Sequence, residues 1–173
     1  MKTLTDQLAQ YAAYHRDRRN IATHFVGIPM IVVAVATLLS RPGLDAAGWL
    51  TPALLVTGLT VAYYLLLDLR FGLAMAVAMA LSLGVGHWFA AQSTALWLTG
   101  GIGLFVVGWV LQFIGHYYEG KKPAFVDDLV GLVIGPLFVM AEAAFALGLC
   151  DDERLRIEAR VGPTHIRAGT AQV

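Results

Sequence analysis

One turn of a helix near residue 115 gathers most of the groups in this chain that could do chemistry. Gln112, His116 and Glu119 close a long apolar run, and Lys121 and Lys122 follow at once. His116 and Glu119 are spaced i, i+3 and so project from one helical face, with Gln112 one turn earlier on it. Polar groups are costly in hydrocarbon and are kept there mainly for function, which makes this helix exit a candidate site. Gly120 and Pro123 are set to stop the helix. His15 and His24 lie before and within the first apolar stretch. Three imidazoles and a carboxylate on one membrane face suggest a divalent metal. Imidazole suits iron, zinc, copper and nickel, and histidine–carboxylate sites with open positions are typical of non-haem Fe(II) oxygenases. The ligands would come from separate stretches, so spacing alone leaves their convergence open.

The elements that must position these residues follow from periodicity. Residues 3–19 read as an amphipathic helix, with Thr3 and Asp6 in capping-box spacing and Leu4, Leu8, Tyr11 and His15 along one stripe. Arg16, Asp17 and Arg19 occupy the other face, so the helix is expected at the membrane surface. On that reading alone His15 could simply cap the stripe at the headgroup level. The first apolar segment is about 20–39, with Asn20 and His24 as i, i+4 neighbours and Pro29 expected to kink or break it. His15 and His24 are about half a turn out of phase, so they meet only if the chain bends, most simply at Arg16–Asn20. Further apolar segments fall at about 48–67, 71–91, 95–115 and 129–149. Asp68 and Arg70 read as a solvated turn pair, and Gly72, Ala76, Ala80 and Gly84 as a small-residue packing stripe that would also allow a homo-oligomer. His87, beside Trp88, reads as an interfacial histidine. Gly100 to Gly103 is no nucleotide fingerprint, since the run around it stays apolar. Asp127 and Asp128 are natural caps for the last apolar helix. Gly135-Pro136 interrupts that helix as Pro29 interrupts the first, and such paired breaks can line a site. Glu142, near its end, is a further acid in apolar surroundings.

Composition sets the class. The chain is 58% hydrophobic and 14% charged, with a mean hydropathy of +0.67, which points to a membrane protein rather than a soluble domain. Zero net charge gives no reason to expect nucleic-acid binding. The single cysteine, Cys150, excludes an internal disulfide and any cysteine-built metal site. The expected fold is an all-α integral membrane protein: four to five transmembrane or re-entrant helices in a bundle, an N-terminal interfacial helix, one domain over 1–150 and a charged tail over 151–173. Basic residues before the first segment and after the fourth favour the cytoplasmic side for both. The basic tail conflicts with a simple fifth crossing, so one segment is expected to re-enter. An alanine-, glycine- and valine-rich composition hints at a bacterial inner membrane.

Taken together, His15, Asn20-x-x-Thr23-His24-x-x-Gly27-x-Pro29, Gln112-Phe-x-Gly115-His116-x-x-Glu119-x-Lys121-Lys122-Pro123 and the Gly-Pro-x-Phe run at 135–138 resemble the membrane-bound 2-hydroxy fatty acid dioxygenases of phytosphingosine degradation. The resemblance spans about residues 10–145, is carried by hydropathy alone over 40–110, and does not include His87. It implies an Fe(II)-dependent α-oxidation that converts a 2-hydroxy fatty acid and O2 into CO2 and a fatty acid one carbon shorter. It further implies His15, His24 and His116 as iron ligands, and Glu119 as a fourth ligand or an acceptor that orients a histidine. Asn20 and Gln112 are then expected to contact substrate, and Lys121 or Lys122 to attract its carboxylate if they do not merely snorkel. Two other classes fit the same residues: a bis-histidine haem electron carrier using His24 with His116 or His87, and a non-catalytic lipid carrier or transporter.

Overall fold

The computed structural model describes residues 2–46, 48–123 and 128–167. The described residues form seven helices: α1 Leu4–Ala12, α2 Arg18–Leu39, α3 Pro52–Leu67, α4 Leu69–Ala90, α5 Thr94–Glu119, α6 Gly131–Ala146 and α7 Asp151–Val161. No strand occurs among them. Three helices, α2, α4 and α5, are long and apolar enough to cross a membrane, and a fourth span is reached if α6 and α7, bent by 115°, count as one broken segment. The expected break in the last segment therefore exists, but at residues 147–150 rather than at Gly135-Pro136. Both prolines lie inside continuous helices, as the surroundings of membrane helices allow. Leu59, Leu66, Val77 and Leu81 are exposed, each by more than half. Outward-facing leucine and valine along helices with almost no charge are what hydrocarbon solvates, so the fold is that of an all-α membrane protein.

The residues group into two compact units, 27–110 and the remainder. In the first, small residues let backbones meet. A side-chain carbon on Gly72 would collide with the Leu65 backbone, and one on Gly86 with the backbone of Ala36 and Thr37. Gly84 of the expected stripe faces open space instead. Trp97 donates its indole N–H to the Thr37 carbonyl at 2.8 Å. Asp68 corrects the sequence reading: it ends α3 and caps α4, accepting from the Phe71 amide at 2.9 Å, so it serves backbone donors rather than Arg70.

The second unit holds the chemistry. Thr3 and Asp6 form the expected capping box, but α1 ends at Ala12, not near residue 19. Its apolar face, Leu4, Leu8 and Tyr11, is buried, and α1 lies against α6 and α7. Tyr11 packs on Phe138 with ring centroids 5.0 Å apart, and Asp6 pairs with Arg160 at 2.7 Å. The chain then turns through residues 13–17 and starts α2 at Arg18, which is the predicted bend, placed slightly earlier. Asp17 caps α2 by accepting from the Arg19 amide at 2.8 Å. Asp128 accepts from the Val130 amide at 3.0 Å at the entry to α6. Asp127 and residues 168–173 of the charged tail lie outside the described residues.

Candidate metal centre

Each of the three histidines is delivered by a different element. His15 sits in the turn after α1, His24 on the second turn of α2, and His116 on the last turns of α5. All three are buried, and one ligand atom from each lies within 4.8 Å of the others. Ring centroids are 4.6 Å apart for His15 and His24, 4.8 Å for His15 and His116, and 5.2 Å for His24 and His116. The rings surround one point, with no slot in which a planar macrocycle could separate two of them. His87 is exposed on α4 and outside this cluster.

The hydrogen-bond pattern shows what the cluster is prepared to hold. His15 Nδ1 is 2.7 Å from the Tyr11 carbonyl, and His24 Nδ1 is 2.9 Å from the Asn20 carbonyl. A carbonyl can only accept, so each Nδ1 carries the hydrogen and each Nε2 is left with a bare lone pair. Those two Nε2 atoms face each other at 3.1 Å. Two lone pairs repel at that distance unless a cation lies between or beside them. His116 adds a buried Nδ1 with no hydrogen-bond partner. Carbonyl bonds that fix the tautomer and turn the other nitrogen inward are the usual outer support of a histidine ligand. Burial first, and then the neighbouring His24, hold the His15 imidazole well below the ordinary histidine range, in the neutral form that binds metals. The donor set fits a divalent transition metal.

Glu119 organises the same point from the polypeptide side. Its carboxylate accepts from the Arg16 amide at 3.0 Å, the Asp17 amide at 2.8 Å and the Asn20 side-chain amide at 3.0 Å. With both oxygens engaged, it ties the His15 turn to the end of α5. Asn20 is fully buried and its Oδ1 has no partner; the same is true of Gln112 Nε2, on a residue 5% exposed. Lys121 is exposed and donates to the Ala13 carbonyl at 2.7 Å; Lys122 is exposed. Tyr117 is exposed, and Tyr118 lies under the Arg19 guanidinium at 4.7 Å.

Arg16 is, with the fully buried Asp17, a residue that sequence reasoning misplaced. Assigned to a solvated face, it is 5% exposed and donates to the carbonyls of Ala12, His15 and Gly162 and to Glu142 at 3.4 Å. Glu142 is thereby occupied as the partner of Arg16. The available signal was Glu142 itself, since an acid in an apolar segment needs a cation nearby.

Fold and site together define a helical membrane protein with a buried three-histidine centre able to hold a metal ion. Comparison makes the assignment specific. Residues 1–147 match the family model described as 2-hydroxy-palmitic acid dioxygenase Mpo1-like, and the chain belongs to that family. It is 34% identical over 147 residues, 84% of this chain and 82% of the relative, to the 2-hydroxy-palmitic acid dioxygenase MPO1 of Saccharomyces cerevisiae. No solved structure matches the chain.

Proposed function

We propose that this protein is an Fe(II)-dependent membrane dioxygenase that carries out α-oxidation of 2-hydroxy fatty acids. One 2-hydroxy acid and one O2 give CO2, water and a fatty acid one carbon shorter, a balance that needs no external reductant. The observation that carries the reading is the pair of bare Nε2 atoms facing each other at 3.1 Å, with a third buried imidazole beside them. The family membership and the name of the yeast relative support the substrate class.

His15, His24 and His116 would hold the ion. When bound, iron would supply Lewis acidity toward the 2-hydroxy carboxylate and redox chemistry with dioxygen. The protein's own part is to bind and orient. Three neutral protein ligands would leave room for both substrate oxygens, and the unpartnered Asn20 Oδ1 is suited to accept from a hydroxyl and Gln112 Nε2 to donate to a carboxylate oxygen. Glu119 acts by holding the His15 turn in register with His116. Lys121 and Lys122, at the end of α5, add positive charge where an anionic head group would arrive. The basic residues at this end of the helices favour the cytoplasmic face, which for a bacterial inner membrane protein lets the acyl chain stay in lipid.

The test is elemental analysis and oxygen uptake on detergent-purified protein. Expected are about one iron per chain, equal consumption of 2-hydroxy fatty acid and O2, and loss of both iron and turnover in His116→Ala. A His116→Ala variant that keeps its iron and its rate would sink the reading, as would wild-type protein that consumes substrate after the metal is removed.

A further inference from the structure

The turn that carries His15 is gripped from a second side by the chain after α7. His165 donates its amide to the Arg16 carbonyl at 2.9 Å, and its carbonyl accepts from the Arg18 amide at 2.8 Å. Two residues on, the Arg167 amide donates to Asp17 Oδ2 at 2.8 Å and its guanidinium to the Glu119 carbonyl at 3.0 Å. Arg19 returns a bond to the Arg167 carbonyl at 2.9 Å, and Arg16 reaches the Gly162 carbonyl at 3.1 Å. Every one of these bonds ends on the His15 turn, on the first turn of α2 that leads to His24, or on the last residue of the helix that carries His116. The segment adds little to the apolar core, and Ile166 is 62% exposed. It also lies beyond residues 1–147, the stretch matched by the family model.

We propose that residues 162–167 are a clasp that sets how tightly the three-histidine centre holds a divalent metal ion, with His165 and Arg167 as positioning residues. The inference rests on that centre being a metal site. Within the turn at 13–17 the amides of Ala13, Tyr14 and His15 still bond to carbonyls of α1, but the Arg16 and Asp17 amides and the Arg16 carbonyl are fixed by groups distant in sequence, Glu119 and His165. Releasing one side leaves His15 free to leave the point where the other two rings meet. The cost falls on metal retention rather than on the core. Loss of an outer support of this kind typically weakens metal binding about 10–100-fold.

The experiment compares three chains in detergent: full length, cut after Val161, and cut after Arg167, which keeps every bond named above. Each is titrated anaerobically with Fe(II) and, for a direct spectroscopic reading, with Co(II), while hydrogen exchange is followed at residues 15–20. The cut after Val161 is expected to lose about tenfold or more in Co(II) and Fe(II) affinity, with faster exchange at Arg18, whose amide loses its acceptor, and an unchanged helix content. The cut after Arg167 should match full length. Should the shorter chain misfold, His165→Pro, which removes the amide donor to Arg16 together with the imidazole and keeps the carbonyl, carries the same expectation for metal affinity. Equal affinity in full-length and clasp-free chains overturns the proposal alone, and so does an equal loss in both cut chains. A full-length chain that binds neither ion overturns the metal reading and the clasp with it.

Discussion

At the scale of single residues, Glu119 stands beside three histidines with its carboxylate engaged by the polypeptide. Its two oxygens already accept from the Arg16 and Asp17 amides and from the Asn20 side chain. Glu119→Gln keeps the shape but replaces one acceptor oxygen with an N–H2 that faces amide donors. Leaving a buried donor unpaired costs about 1–3 kcal/mol, so this variant should melt lower and, on the proposed function, release iron faster. Glu119→Asp should be milder. A Gln variant with wild-type stability and metal content would mean that these bonds are dispensable. The spacing of His116, Glu119 and Gln112 was readable from sequence because one helical face carries all three. The roles of Arg16 and Asp17 were not, because beside their local bonds they have partners more than a hundred residues away, at Glu119, Glu142, Gly162 and Arg167. Charge in a local window looks solvated whatever distant group it meets.

At the scale of elements, the close approach of α5 to α2 brings His116 to His24. It depends on Gly115: a side-chain carbon there would run into Thr23 Oγ1, Asn20 Oδ1 and the His24 ring. Gly115→Ala is therefore expected to push the helices apart, at about 1–3 kcal/mol for overpacking, and to lower bound iron together with the melting temperature. By contrast Gly84→Ala, where a side-chain carbon meets nothing within 4 Å, should leave both unchanged. The two variants measured side by side separate a packing requirement from a general intolerance of change. A second check is Thr3→Ala, which removes the cap of α1 and should cost about 1 kcal/mol with little effect on iron content. The helices were legible because apolar runs and caps are local. The end of α1 at Ala12 was not, because helical periodicity continues to His15 while the amides beyond it are claimed by Glu119 and His165.

At the scale of the whole molecule, exposed leucine and valine cover the long helices, so the chain is expected to stay in the membrane pellet through an alkaline carbonate wash. Recovery in the supernatant would contradict the spanning assignment. Hydropathy made this class plain at the outset, since a low charge content over long runs needs no tertiary information. What it could not supply was the number of crossings, because the 115° bend between α6 and α7 arises at a short Leu-Gly-Leu-Cys link whose angle depends on packing. The order in which the site is made has its own consequence. Glu119 is synthesised 103 residues after the Arg16 amide that it receives. At about 5–20 residues per second, the His15 turn waits roughly 5–20 seconds on the ribosome before its anchor exists, and longer for His165. On the proposed function, metal loading belongs to the finished, inserted chain, and a nascent chain arrested before α5 should emerge with no capacity to retain the ion.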